Sequence, residues 1–368
     1  MTTVLLTLGR LPKALDLARG FAAAGCRVIV AEPFRWHLAG ASRAVAGRFR
    51  VPAPSTGKAA YLDALMAVVE REGVDLVVPV SEETMHVSAL TGRVPVFTMG
   101  PGAVIPLHDK LGFVRAAEAC GLDVPQTELL GGAAAAELAA AGDVIVKPVF
   151  SCSGRGVRVV RRGQALPAAD PAAASVVQAL VAGQEHSTCS LARGGRVIST
   201  VVYRGTVLSG TVACAFERVE HPAIERWVAD FVAHAGWTGF ISFDLIVGDD
   251  GVPHGIECNP RCTSGVHFWE PIDVAQAVLG HADTIRFRPE RALQQFYSCL
   301  TETQKTMFRR GFFRRARLLL RTKDVTWDRH DPAPFLTMTA TSWRIIWMSI
   351  RQRTTFGEVA TLDVGWYP

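Results

Sequence analysis

The sequence predicts an α/β protein: a small parallel-sheet domain first, then a larger region built mostly from hairpins. Three observations carry this. Near the start, an apolar run at 4–7, a helical pattern at 15–24 closed by Gly25, and a second apolar run at 28–31 form a βαβ unit. Further on, residues 240–247 alternate strictly, with Ile241, Phe243, Leu245 and Val247 on one side. Gly248-Asp249-Asp250-Gly251 then supplies the dihedrals of a tight reversal, and 252–259 runs back. Finally, 368 residues with 49% hydrophobic and 20% charged content suffice for two or three cores and exclude a disordered chain.

Composition narrows the function classes. A net charge of +5 is too mild to argue for nucleic acid. The 8 Cys are scattered, which suits free thiols in a reducing compartment, and a cytoplasmic location is expected. Cys258-x3-Cys262 lacks the second Cys or His pair that a zinc site needs. The first apolar run is too short for a secretion signal, and no run reaches the length of a membrane span.

Taken in order, 1–105 reads as one α/β domain, with a further helix at 61–71 and a strand at 76–80. Glu82 and Glu83 follow that strand and are read as first-turn helix acids rather than substrate contacts. His108-Asp109-Lys110 opens a helix that runs to about Cys120, with Asp109 as its cap. A lysine in a first turn opposes the helix dipole, a hint that Lys110 faces a ligand anion. An Ala-rich helix covers 131–141. A strand over 144–146 ends at Lys147, and Ser151-Cys152-Ser153-Gly154-Arg155-Gly156 forms a small-residue loop before the strand 157–160. Such a loop can lay backbone N–H groups against phosphates, with Lys147 and Arg155 adding charge. It is not a P-loop, because the order of Gly, Lys and Ser is wrong. Strands follow at 176–181, 189–191, 197–203 and 208–214, then a helix at 222–236.

The hairpin at 240–259 holds the chemistry. Pairing Val247 with Val252 sets Ser242 opposite Glu257 and Asp244 opposite Gly255, so Asp244, Glu257 and Asn259 share one face. Two carboxylates and an amide inside an apolar hairpin suit Mg²⁺, which takes one or two carboxylates plus substrate phosphates. Arg261 lies two residues further on, with a fork suited to an anion. His267 is the histidine best placed for a substrate contact.

This order of elements resembles the ATP-grasp superfamily of ligases over roughly residues 1–285. The resemblance rests on Asp109-Lys110, Val146-Lys147-Pro148, the 153–157 loop, Gln178 with Gly183 and Glu185, and the Glu257-x-Asn259-x-Arg261 ending. It implies a pre-ATP-grasp α/β domain (1–105), a first ATP-grasp lobe with a glycine-rich lid (106–180), a second lobe with the metal site (181–285) and a C-terminal extension (286–368). It further implies that Lys110 and Lys147 contact the ATP phosphates, while Ser153, Gly154, Arg155 and Gly156 close over them. Gln178, Ala179, Leu180 and Val181 would form the hinge that reads adenine, and Glu185 would hold the ribose. Asp244, Glu257 and Asn259 would bind Mg²⁺, or Mn²⁺ in its place. Arg261 would hold the anionic substrate, as in enzymes similar to biotin carboxylase and carbamoyl phosphate synthetase. Lys147 and Arg261 would be the catalytic pair. Ser242 departs from the arginine of the D-alanine–D-alanine ligase branch, and Gln178 replaces the commoner Glu.

The activity so implied is ATP-dependent joining of a carboxylate to an amine or amino acid through an acyl phosphate. Phosphorylation of an enol or other oxygen is one alternative. A silent nucleotide-binding module with a basic tail is another. Small-molecule carboxylates and amines are the expected partners, no nucleic acid is expected, and a homodimer is compatible. Residues 307–323 mix Phe and Leu with many arginines and no acid, a pattern that suits a membrane surface. The plainer reading, a helix packed on the body with snorkelling arginines, is preferred. Trp343 and Trp347, spaced i, i+4, are read as core.

Overall fold

Three sheets carry the chain in the computed structural model, which describes residues 1–151, 154–308 and 310–366. The first is parallel. It is built from β1 (Thr3–Leu6), β2 (Arg27–Glu32), β3 (Gly47–Arg50) and β4 (Leu76–Val78) in the order β3-β2-β1-β4, with α1 (Pro12–Ala23) and α2 (Lys58–Glu72) as crossovers. The central strand β1 is covered on both faces, with Val4, Leu5 and Leu6 fully buried, whereas the edge strand β3 alternates with Arg48 and Arg50 exposed. α2 stops at Gly73, whose φ of 59° is the left-handed cap that residues with a Cβ avoid.

α3 (Thr84–Val87), α4 (Pro101–His108) and α5 (Lys110–Ala119) lead out of this domain. The helix expected to open at His108-Asp109-Lys110 is α5, and α4 runs directly into its cap at Asp109. Its carboxylate accepts from Leu111 N at 2.8 Å and Gly112 N at 2.9 Å, capping α5, while His108 closes α4. β5 (Thr127–Leu129), α6 (Ala133–Ala141), β6 (Val144–Pro148), β7 (Arg158–Val160) and β8 (Ser175–Ala179) form an antiparallel lobe in the order β5-β8-β6-β7.

The largest sheet takes β9 (Gln184–Arg193), β10 (Arg196–Ser209) and β11 (Val212–Val219). After α7 (Pro222–His234) it adds the hairpin β12 (Gly239–Val247) and β13 (Pro253–Asn259). β14 (Ala292–Gln294) and β15 (Lys323–Asp324) complete the order β13-β12-β9-β10-β11-β14-β15. β10 runs unbroken through a region where the sequence suggested two strands; an irregularity at Gly205 to Leu208 absorbs the interruption. The rings of Phe243, Phe231, Trp227 and Phe113 pack beneath the hairpin, Phe231 lying 4.9 Å from Phe243 between centroids. This aromatic layer fixes which face of β12 is core and so sends Asp244 to the other.

α8 (Pro271–Leu279) packs on α1. The C-terminal region supplies α9 (Phe296–Gln304), α10 (Phe312–Arg321), α11 (Ala333–Leu336), α12 (Met338–Thr341), α13 (Trp343–Gln352) and α14 (Phe356–Val359). Its last stretch folds back over the carboxyl edge of the first sheet. Asp363 pairs with Arg10 at 2.6 Å, and Gly365 O lies 3.1 Å from His86 Nε2, whose ring packs on Trp366. One expectation fails in this region: Trp343 and Trp347 are not core but 61% and 50% exposed. α10 packs on α9, with Leu319 as its buried residue. No helix among the described residues is long and apolar enough to cross a membrane.

Candidate functional site

The site begins with the register of the hairpin, which differs from the expected one. Val247 faces Pro253 rather than Val252, a slip of one residue that would carry Glu257 to the core face. A β-bulge at Ile256 undoes the slip. Below it, Asp244 stands directly opposite Glu257 and Ser242 opposite Asn259. The expected grouping of Asp244, Glu257 and Asn259 therefore holds, through a different pairing. On the far side Asp244 is opposite Ser187 of β9, so Glu257, Asp244 and Ser187 form a row across three strands.

That row is electrostatically tense. Ser187 Oγ donates to Asp244 Oδ1 at 2.7 Å and Asn259 Nδ2 to Asp244 Oδ2 at 3.1 Å. Even so, burial and the neighbouring Glu257 push the Asp244 carboxyl up to about 7. Glu185, two residues from Ser187 on the same face, is raised as well by burial and by Glu257. Among the described residues, no three or more His, Cys, Asp or Glu form a closed metal cage. The donor set is two crowded carboxylates and an amide. It fits a hard cation such as Mg²⁺, which completes its shell with phosphate and water and would relieve the repulsion. The amide oxygen of Asn259 now accepts from Arg261 at 2.8 Å.

Two lysines approach this face. Lys147 leaves the end of β6 and donates to Gln178 Oε1 at 2.9 Å and to Ile256 O at 2.8 Å. The bulge thus has a second effect, since it turns the Ile256 carbonyl off the ladder and onto Lys147. Burial pushes the Lys147 ammonium down to about 8, with Lys110 adding to the effect and the three acids opposing it. Lys110, 2% exposed, donates to Ser151 O at 3.0 Å and lies 3.6 Å from Glu257. Gln178 is buried and passes its amide N–H to Thr127 Oγ1 at 2.9 Å. Its side chain positions Lys147 from the strand behind it.

Arg261 connects the hairpin to the first domain. Its guanidinium meets Glu82 Oε1 at 2.5 Å, so Glu82 belongs to the site and not to a helix cap. Burial opposes ionisation of Glu82, yet Arg261, His108 and Lys13 hold its carboxyl below the usual range. Glu82 Oε2 is buried and accepts no hydrogen bond among the described residues. Lys13 donates to Cys262 O at 2.7 Å, and burial together with Arg261 pushes it down to about 8. Glu83 plays a different part. It accepts from Val80 N, Ser81 N and Thr7 Oγ1, closing the loop after β4. His267 is not a substrate contact. It is buried, lies 2.7 Å from Asp16 and stacks on Phe216.

The remaining expected residues lie around this centre. Gly154 and Gly156 have φ of 65° and 76°, and a Cβ on either would strike Thr211 or Pro148, so this loop needs glycine at both positions. Arg155 between them lies within electrostatic reach of Glu358 on α14. Ser153 and Cys152 lie outside the described residues. In the 178–181 segment, Ala179 N donates to Gln126 O and Leu180 N to Asp143 O, so two of its amides are spent within the lobe. Val181 follows immediately. The sequence placed Glu82 at the ligand edge of the sheet but read it as a helix acid, and it did not mark Lys13, Ser187 or Thr127 as members of the site. Of these three, only Ser187 left a trace, through its alternation with Glu185.

Comparison with known proteins bears on the fold that carries this site. The family described as an ATP-grasp domain matches residues 107–265. No curated protein matches the chain by sequence. Among solved structures, the fold is similar to N5-carboxyaminoimidazole synthetase from Staphylococcus aureus (TM-score 0.62, 13% identity, 78% of this chain and 80% of that one). It is also similar to biotin carboxylase from Campylobacter jejuni (0.60, 15%, 79% and 72%). A third similar structure is L-amino acid ligase from Bacillus licheniformis (0.60, 18%, 79% and 78%).

Proposed function

Given that residues 107–265 form an ATP-grasp domain, we propose that this chain is an ATP-dependent ligase that activates a carboxylate as an acyl phosphate and joins it to an amine or amino acid, releasing ADP and phosphate. The observation that carries this reading is the single polar face on which Asp244, Glu257 and Asn259 meet Lys110 and Lys147. A scaffold has no use for two mutually repelling, half-buried carboxylates placed side by side. Similarity of fold to an L-amino acid ligase and to a biotin carboxylase supports the choice of a carboxylate and a nitrogen nucleophile.

Bound Mg·ATP would supply the phosphoryl group. Asp244, Glu257 and Asn259 would hold the metal; Lys110 and Lys147 would neutralise charge on the phosphates from two sides. Lys147 is held ready by Gln178 and the Ile256 carbonyl, so little reorganisation is needed. Arg261 presents its fork to the acceptor carboxylate while Glu82 fixes the orientation of the guanidinium. The 154–156 loop would exclude water from the anhydride, and residues 179–181 with Glu185 would meet the nucleoside.

The test is thermal unfolding of the wild type and Glu257→Gln with and without Mg·ATP, followed by ADP release on a panel of carboxylates and amines. At about 100 times the dissociation constant, nucleotide should add roughly 2.7 kcal/mol to the wild type and far less to the variant. Equal shifts in the two proteins, or none in either, would overturn the assignment of the acid face.

A further inference from the structure

The C-terminal region breaks the usual rule that a folded surface scatters its apolar side chains singly. Ten of the eighteen large apolar side chains exposed among the described residues fall between 307 and 350. In α10, Phe313 and Leu320 lie two turns apart and are 85% and 81% exposed. In α13, Trp343, Trp347 and Ile350 recur at i, i+4, i+7 on one exposed face, while Ile345 on the opposite face is buried beside Phe34. α9 lies against α10, its Tyr297 is hydrogen-bonded to Thr339 of α12 at 3.2 Å, and α12 leads directly into α13.

Charge is concentrated in the same stretch. Residues 305–353 hold twelve Lys or Arg against three Asp or Glu, a balance of +9, so the rest of a chain of net +5 carries −4. Two of those three acids are buried in structural roles. Asp324 accepts from Phe296 N and Thr326 N, and Asp331 pairs with Arg19 and Ser42. Arg314, Arg317 and Arg321 stand exposed beside Phe313 and Leu320, and Arg351 lies 5.1 Å from the centre of the Trp347 ring.

We propose that α10 and α13, with the exposed apolar side chains beside them, form a peripheral docking surface for an anionic lipid bilayer. The chemistry selects this partner over others. Interfacial helices combine a Phe, Leu and Trp face with flanking cations, because the rings and aliphatic tips enter the headgroup boundary while guanidinium groups reach lipid phosphates. Nucleic acid would use the arginines and tryptophans but leave Leu320, Ile350 and Met307 in water. A second copy presenting the same +9 surface would be repelled. The region lies outside the 107–265 domain and does not depend on the ligase reading.

Co-sedimentation of the full chain with vesicles provides the test. One set is phosphatidylcholine alone; the other contains about one third phosphatidylserine. The wild type should pellet with the anionic vesicles only and be released by salt. Arg314→Gln and Arg317→Gln should each weaken partitioning about fivefold, the equivalent of ~1 kcal/mol per cation near such a surface. Phe313→Ser with Leu320→Ser should weaken it further while leaving the response to salt in place. All four positions are exposed, and each variant should keep the wild-type thermal shift with Mg·ATP, which separates loss of docking from failure of the nucleotide site. Wild-type protein that ignores anionic vesicles, or tail variants that bind like the wild type, would overturn the proposal. So would a self-association or RNA complex carried by the same residues without vesicle binding.

Discussion

Two buried guanidinium–carboxylate pairs lie at the carboxyl edge of the first sheet, and they serve opposite ends. Arg10 is saturated. It meets Glu32 at 2.5 Å and Asp363 at 2.6 Å, and Glu32 also accepts from Gly9 N, Arg10 N and Phe34 N. Arg261 meets Glu82 at the same 2.5 Å, but Glu82 keeps a buried oxygen that accepts no hydrogen bond among the described residues. A closed network of this kind fixes structure. A pair with an unsatisfied oxygen, placed beside a crowded acid face, stands ready for something else to bind. The difference lies in how completely each pair is satisfied, since both carboxylates are buried and the distances are the same, although Arg261 is somewhat more exposed than Arg10.

Breaking the closed pair should cost the most. Arg10→Met leaves Glu32 buried without its counter-charge and should lower stability by about 3–5 kcal/mol in denaturant unfolding. Activity per folded molecule should survive. At the open pair the pattern should invert. Arg261→Gln should lower kcat/KM about 10²–10³-fold, with a stability loss of only about 1–3 kcal/mol, because His108 and Lys13 still attend Glu82. Similar stability losses in the two variants would erase the distinction.

A smaller effect separates the acid face from both pairs. Asp244 is raised from 3.8 to about 7, so the folded state holds this proton more tightly than the unfolded chain does. Its contribution to stability is therefore full below about pH 4 and is lost as pH rises toward 7. Unfolding of the nucleotide-free protein at about pH 5 and about pH 8 should show a drop of about 2 kcal/mol from this source, tempered because Glu257 titrates with it. Asp244→Asn should flatten the profile, and Mg·ATP should restore the wild type at the higher pH. Smallest is His267→Gln. The His267–Asp16 contact is a structural anchor, as Arg10 is, so the variant should lose about 1 kcal/mol and keep kcat/KM unchanged. A large fall in kcat/KM would return His267 to the site.

Much of this architecture was legible in the sequence wherever the signal was local. The alternation of β12, the Gly-Asp turn and the cap at Asp109 each follow from a few neighbouring residues. The ATP-grasp resemblance, read from ordered short motifs, agrees with the domain matched at 107–265. What was not legible depends on distant partners. The bulge at Ile256 exists because β13 must satisfy the turn and the face together, and nothing in the order of residues marks it. Glu82 read as a capping acid because its partner Arg261 comes from another domain. Trp343 and Trp347 had the spacing of a packed pair, but spacing shows that two residues share a face, not whether that face is covered.

The fold-back of residues 359–366 also bears on how the chain is made. Arg10 and Asp363 are 353 positions apart, and Gly365 reaches back to His86. A ribosome adding roughly 5–20 residues each second needs about 20–70 s to cover that interval. For most of it, once β4 has been made, the first sheet has both its crossover helices but not the segment that covers its edge, and Arg10 has one counter-charge of two. The N-terminal domain thus emerges early and is completed late. Its nascent form should be the stage most open to proteases and chaperones, and ribosome-stalled chains of increasing length should lose that sensitivity once residue 366 has cleared the exit tunnel.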